Sequence, residues 1–270
     1  MAITTRDQLA VASQNAAVHH YYKSGLTGTA TYGQFSLWSQ AGWPAAGATG
    51  AQACTSATTG AIPLLGSGSG NWYLTGVTAA GLGQSGLTLM DRLWQSNTIS
   101  IAGSTAALAA GTPTTLPARA GTDYSNYGVY LEATGTSSVS TTAFVNYTNE
   151  SGVAGRQGYV PQNTGVISPS LTGFTYGPLQ LQSGDAGVRS VQSIQMNNST
   201  TGQVITVVIA RIVTSLTLPT FAGETRLGYA DLGLVNLGPD PCLYWAFNPG
   251  PLNATYNTST LTASVTCVAG

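Results

Sequence analysis

From residue 71 onward, short apolar segments with a period of two alternate with clusters of Gly, Pro, Asn and Ser, and this pattern leaves little room for anything but β-structure. The segments are WYLTGVTAA (72–80), LTLMDRLW (87–94), YGVYLEAT (127–134), TTAFVNYT (141–148), GRQGYV (155–160), GPLQLQ (177–182), GVRSVQSIQM (187–196), GQVITVVIARIV (202–213), CLYWAF (242–247) and STLTASVTCV (259–268). Between them lie turn-forming runs such as NESG (149–152) and SGDAG (183–187), where Asp and Asn close local hydrogen bonds and Gly supplies positive φ. About ten short strands with no helix between them predict a mainly β fold, an antiparallel β-sandwich of jelly-roll type. Gly81-Leu-Gly83-Gln-Ser-Gly86 matches the glycine spacing of a dinucleotide-binding turn, but LTLMDRLW follows it. That chemistry needs a helix N-terminus at the phosphates, so the segment is expected to be a glycine-rich hairpin turn.

The N-terminal part reads differently. Thr5 and Gln8 have capping-box spacing, and Leu9, Ala10 and Val11 begin an apolar stripe, predicting a helix over 5–17. His19 and His20 are then expected at the end of that helix, where cationic side chains suit its dipole. Residues 25–70 are rich in Gly, Ala, Thr and Ser yet contain Phe35, Leu37, Trp38 and Trp43, and GSGSG (66–70) resembles a flexible joint. The expected division is therefore an N-terminal helix and extended arm (1–70), the arm reaching over neighbouring subunits, and a β-sandwich domain (71–270).

Charge narrows the function. Lys and Arg number 8 and Asp and Glu 9, and charged residues make up 6% of the chain, against roughly 25% in an ordinary soluble domain. A chain so poor in charge is expected to hide much of its surface against copies of itself or other proteins. The basic residues are spread singly, which argues against nucleic acid or an anionic membrane as partner. No segment has the ~20 consecutive apolar residues of a spanning helix, and the start lacks a signal-peptide pattern. Cys54, Cys242 and Cys267 form no CxxC pair; a bridge between Cys242 and Cys267, on neighbouring C-terminal strands, stays open.

No residue is assigned a catalytic, cofactor-binding or metal-ligating role. The two histidines are read as capping and packing groups. Asp91, Asp123, Glu132, Glu150, Asp185, Glu224, Asp231 and Asp240 are dispersed, and a glycosidase would need two of them to converge. Several have a basic neighbour (Asp91 with Arg92, Asp185 with Arg189, Glu224 with Arg226), so ions paired within or between subunits are expected instead. No Asp/Asn-rich calcium loop of the usual spacing is present. The N-x-S/T triplets at Asn146, Asn149, Asn197, Asn198, Asn253 and Asn257 are read as chance in a Ser/Thr-rich chain. Trp38, Trp43, Trp72, Trp94 and Trp245 are expected mainly in core and interface, with a sugar-stacking platform as the other use.

Two stretches, SVSTTAFVNYTNESGVAGRQGYV (138–160) and PLQLQSGDAGVRSVQSIQMNNSTTGQVITVVIARIV (178–213), resemble structural proteins of tailed bacteriophages. The residues that carry the resemblance are Val145, Tyr147, Thr148, Asn149, Gly155 and Arg156, then Gly184, Asp185, Gly187, Val188, Arg189, Ser190 and Val191. LTLMDRLW resembles a further strand of such proteins, so the match spans about residues 70–215. These are packing and turn motifs. The resemblance implies a non-enzymatic virion protein, assembled in the host cytoplasm, whose partners are itself and other virion proteins such as the major capsid protein. A capsid decoration or cement protein is the first expectation; a tail, neck or baseplate component is the second. A carbohydrate- or receptor-binding module is the alternative from another class.

Overall fold

A computed structural model describes residues 3–29, 34–64, 70–81, 85–100, 108–110, 116–134, 142–160, 174–196, 204–218, 223–249 and 255–270. Helix α1 (Arg6–Ala12) opens the chain and runs into a 3-10 turn over Ser13–Asn15. Its capping box is formed: Thr5 Oγ1 accepts from the Gln8 amide (3.3 Å), and Gln8 Oε1 accepts from the Thr5 amide (3.2 Å). The strands are β1 (Ala17–Thr29), β2 (Gln34–Ser36), β3 (Gly42–Trp43), β4 (Gln52–Ala53), β5 (Trp72–Gly81), β6 (Ser85–Ser100), β7 (Leu108–Ala109), β8 (Gly128–Thr134) and β9 (Ala143–Asn149). They continue with β10 (Arg156–Val160), β11 (Phe174–Tyr176), β12 (Val188–Met196), β13 (Val204–Leu218) and β14 (Gly223–Gly228). After a short helix α2 (Tyr229–Leu232) come β15 (Val235–Gly238), β16 (Leu243–Pro249) and β17 (Thr255–Ala269).

The chain is mainly β, built from packed antiparallel sheets with a short N-terminal helix, as the strand-and-turn pattern predicts. One sheet runs β13-β8-β11-β2-β16-β6-β4, and β13 also pairs with β6. Six of its strands therefore close into a ring. The long β6–β13 ladder, from Ser85↔Leu218 to Ser100↔Val204, seals it. A six-stranded sheet (β14-β5-β17-β1-β3, with β15 on β5) covers one side of this ring, and a four-stranded sheet (β10-β9-β12-β7) covers the other.

Alternation along the ring strands assigns their side chains to three cores. Leu87 and Leu89 of β6, Leu216 and Leu218 of β13, and Leu243 and Trp245 of β16 meet Tyr21, Leu74, Val77, Ala79, Val265 and Cys267 of the six-stranded sheet. Val129, Leu131, Val207 and Ile209 meet Val145, Tyr147, Val191 and Ile194 of the four-stranded sheet. The third cluster, Met90, Tyr130, Val208, Ala210, Tyr244 and Ala246 with Trp38, Cys54, Ala61 and Cys242, fills the ring itself. Each large side chain buried this way contributes about 1.5–3 kcal/mol.

Several expectations are corrected. His19 and His20 lie in β1, not at a helix end: the helix stops by residue 15, and the alternation buries His19 while exposing His20. The Gly81–Gly86 segment links strands of different sheets, since β5 and β6 do not pair with each other; it joins two layers and is not a hairpin turn. Residues 82–84 lie outside the described residues. GPLQLQ contributes only an isolated bridge, Tyr159↔Gln180. Cys242 and Cys267 belong to different layers, and all three cysteines are free thiols.

The expected arm joins the sheets of residues 71–270. β1 sits between β17 and β3, β2 pairs β16 and β11, and β4 pairs β6. Residues 34–64 lie across the protein's own ring, where Trp38 stacks edge-on to Tyr244 (5.7 Å) and donates to the Ala48 carbonyl oxygen (3.2 Å). Gly47 must remain glycine, because a Cβ there would overlap the Trp38 indole. Residues 30–33 and most of the expected joint (65–69) lie outside the described residues. Deleting residues 1–60 removes β1, β2 and β4 together, and is expected to yield no folded protein by circular dichroism or limited proteolysis.

Candidate functional site

The densest polar chemistry sits on β6, whose neighbours Asp91 and Arg92 point to opposite faces and are both fully buried. Inside the ring, Arg92 makes a bidentate pair with Glu132 of β8 (Nη1–Oε1 2.7 Å, Nη2–Oε2 2.8 Å). Its Nε donates to Gln95 Oε1 (2.9 Å), and Gln95 Nε2 donates to the carbonyl oxygens of Ala48 and Gly50 (2.9 Å each). The guanidinium lies 4.5 Å from the Trp38 ring centroid and 5.5 Å from that of Tyr244. Burial works against its charge, but the Glu132 carboxylate outweighs that and raises its pKa. Cys54 and Cys242 lie beside it, opposite successive β6 residues: Cys54 N donates to Leu93 O, and Arg92 N donates to Cys242 O (2.9 Å each). A hydrogen bond from Cys242 to Cys54 pulls the Cys54 pKa down, and burial pushes Cys242 up.

On the outer face, Asp91 accepts from Arg119 Nε (3.0 and 3.2 Å), from Arg211 Nε (3.2 Å) and from the Cys242 amide (3.0 Å). Arg119 also donates to the Arg92 carbonyl oxygen (2.7 Å), and Arg211 to that of Leu237 (2.8 Å). The network thus ties β6, β13, β16 and the turn at Ala118–Ala120 together. These ions hold strands in place, and Asp91, Arg92 and Arg119 are shut away from solvent.

A second polar knot sits on the four-stranded sheet. Asp185 accepts from Tyr147 Oη (2.5 Å), Asn149 Nδ2 (2.9 Å), and Arg156 Nε (2.8 Å) and Nη2 (2.9 Å). Glu150 Oε2 accepts from the Ala186 and Gly187 amides (3.1 Å each), and Arg189 lies over the Tyr124 ring (5.4 Å). A Cβ at Gly187 would overlap the Tyr124 carbonyl oxygen, and Gly155 and Gly184 have φ of +73° and +90°. The knot fastens the β9–β10 hairpin to the turn before β12. The Arg156 guanidinium holds the Asp185 carboxyl well below the usual carboxylate range. A depressed carboxylate pKa stabilises the fold above the unfolded value of about 4, and this stability is lost as pH falls below it. Asp185→Asn is expected to be less stable than wild type at pH 7, with the difference shrinking towards pH 3 in urea titrations.

Lys23 is buried, with no carboxylate partner among the described residues. Its ammonium donates to the carbonyl oxygens of Gln40 (2.8 Å), Pro44 (2.7 Å) and Ala45 (3.4 Å), fastening that loop to β1. Burial lowers its pKa to about 8. The unfolded chain then holds more protons between pH 8 and the unfolded value of about 10.4, so this group makes stability rise with pH across that window. Comparing wild type with Lys23→Met from pH 7 to 9.5 should show that slope only in the wild type.

The residues weighed in the sequence fall as follows. Ion pairing is found, but the partners are Asp91 with Arg119 and Arg211, Arg92 with Glu132, and Asp185 with Arg156. The expected pairs of Asp91 with Arg92 and Asp185 with Arg189 are not formed. Glu224 and Arg226 are both exposed on β14 with no ion partner among the described residues. Asp123, Asp231 and Asp240 accept from the backbone amides of Ser125, Gly228 and Ser56. His19 Nδ1 lies 3.0 Å from the Pro63 carbonyl oxygen, with its ring edge-on to Trp72. Among the described residues no group of three or more His, Cys, Asp or Glu is placed to hold a metal ion. No described helix is long and apolar enough to cross a membrane.

Trp38, Trp72, Trp94 and Trp245 are buried, whereas Trp43 is 58% exposed and pairs across strands with Tyr22, 42% exposed. The Asn149 side chain is engaged by Asp185, and Asn146 donates to Ser193 Oγ (2.8 Å). Asn257 lies in β17, and Asn197, Asn198 and Asn253 lie outside the described residues. Sequence reasoning missed the Arg92–Glu132 pair inside the ring. The unbroken burial of LTLMDRLW, a polar pair embedded in an apolar strand, is the signal that marks it.

No family model and no curated protein matches the sequence. Among solved structures, the chain is similar to a VP2 subviral particle of infectious bursal disease virus: 9% identity, 94% of this chain and 80% of that one, TM-score 0.22. It is also similar to the Gx strain of the same virus: 10% identity, 93% of this chain and 80% of that one, TM-score 0.20. Scores this low bear on neither fold nor role.

Proposed function

We propose that the chain is a structural component of a tailed-bacteriophage virion, and that it serves as a capsid decoration or cement protein. Its role is mechanical: many copies, assembled in the host cytoplasm, stabilise the shell through contacts with one another and with the major capsid protein. The Asp185 knot carries this reading. Tyr147, Asn149, Gly155, Arg156, Gly184, Asp185, Gly187 and Arg189 are residues on which the resemblance to phage structural proteins rests. They converge on one hairpin and one turn. The motif thus behaves as a single fold-determining unit, as expected of a scaffold and not of a catalytic site.

Low charge supports the same reading, because few ions need desolvating when surfaces meet. Purified protein added to heads lacking it is expected to bind saturably at a copy number fixed by lattice symmetry, visible in a reconstruction of the particle. Occupancy of the tail, neck or baseplate instead would favour the second structural reading, and failure to bind any part of the particle would overturn both. A carbohydrate-binding role draws on the exposed Trp43–Tyr22 pair. It predicts that glycans quench Trp43 fluorescence in wild type and not in Trp43→Ala.

A further inference from the structure

We infer that β14 is a self-association seam, taking the β14 strand of a second copy across a two-fold axis beside Thr225. β14 ends the six-stranded sheet: it pairs with β5 from Gly223↔Gly81 to Gly228↔Gly76, and among the described residues no strand pairs with its other edge. β13 reaches it through a side-chain bond, Thr225 Oγ1 to the Thr217 carbonyl oxygen (2.8 Å), not through a ladder. An unpaired strand edge is a template for another strand.

The charges name the occupant. Glu224 and Arg226 alternate with half-buried Gly223, Thr225 and Leu227, so both project from the same exposed face. Neither has an ion partner among the described residues. In an antiparallel pair centred on Thr225, Glu224 faces Arg226 of the second copy, and symmetry repeats the contact. Shifting the register by two residues would set Glu224 against Glu224, or Arg226 against Arg226. The charge pattern therefore selects both the partner and the register. In a chain with 8 basic and 9 acidic residues, few other exposed charges compete with this pair. At the opposite end of the sheet β3 is only two residues long and uncharged, which leaves β14 as the longer, coded edge.

This deepens the assembly reading and rests on it only for the premise that copies meet. The test is sedimentation velocity on wild type, Glu224→Arg, Arg226→Glu, their equimolar mixture, and the double variant carrying both changes. Thermal melts establish that each is folded. Each single reversal is expected to weaken self-association about tenfold, because two symmetric pairs turn repulsive. The mixture should associate as wild type does, since one copy then presents two arginines to two glutamates, and the double variant should also recover. If either reversal fails to fold, Glu224→Gln and Arg226→Gln replace them, with a smaller weakening of about threefold expected from each.

A wild type that stays monomeric, single variants that associate normally, or a mixture no stronger than its components would each overturn the seam. Binding to particles that persists in those cases leaves the virion reading standing. Charge-coupled self-association without particle binding overturns that reading and keeps the seam.

Discussion

Glu132→Gln is expected to lower the free energy of unfolding by about 3–5 kcal/mol, because it leaves the Arg92 guanidinium inside the ring without its counter-ion. The side chain keeps its shape, so the loss reports charge and not volume. Changing both partners, Arg92→Met with Glu132→Leu, should recover most of the loss: an apolar pair removes the desolvation cost along with the attraction. Urea denaturation gives the measurement, as a shift of midpoint at constant slope. A double variant no more stable than Glu132→Gln would mean that Arg92 acts mainly through Trp38, Tyr244 and Gln95. Trp38 fluorescence separates the two cases, since only the Arg92 change removes the cation 4.5 Å from its ring.

Asp91→Asn should cost at least as much, about 3–5 kcal/mol, for a related reason on the opposite face of the same strand. Asp91 is the counter-ion of both Arg119 and Arg211, so neutralising it leaves two guanidinium groups facing each other beside the apolar layers. Removing one of them should relieve part of the cost. The double variant Asp91→Asn, Arg211→Met is therefore expected to be more stable than the sum of its single changes allows. A double-mutant cycle in urea measures that coupling, and strict additivity would show that the two residues act independently. Arg211, part exposed, is the better choice for the cycle than buried Arg119.

Local chemistry made much of the fold readable in the sequence. The Thr5–Gln8 capping box, the alternation in WYLTGVTAA and TTAFVNYT, and the glycines around Asp185 each specify a conformation within a few residues. What stayed hidden depends on long-range pairing. Nothing in residues 85–100 or 204–218 states that those strands seal a ring, because the same apolar runs would suit an open sandwich. The ion partners failed for a geometric reason: neighbours on a strand point to opposite faces, so Asp91 and Arg92 cannot pair although they are adjacent. His19 and His20 lie in a strand and not at a helix end because the preceding helix stops two turns after its cap. Once the chain is extended, the alternation buries His19, Tyr21 and Lys23 and turns His20 and Tyr22 outward. The arm expected from the small residues at 25–70 is small for packing reasons: Gly42, Gly47 and Gly60 let the loop press against β1 and Trp38.

The pairing of β1 with β17, Ala17 opposite Cys267 and Lys23 opposite Leu261, puts a time order on the protein's life. A ribosome adding ~5–20 residues per second finishes β1 well before it begins β17. Until then β1 and β5 have no central strand between them, and each presents an unpaired edge where β17 will lie. Emergence of β17 completes the six-stranded sheet by pairing with both open edges at once, so a chain stopped before it is an aggregation hazard.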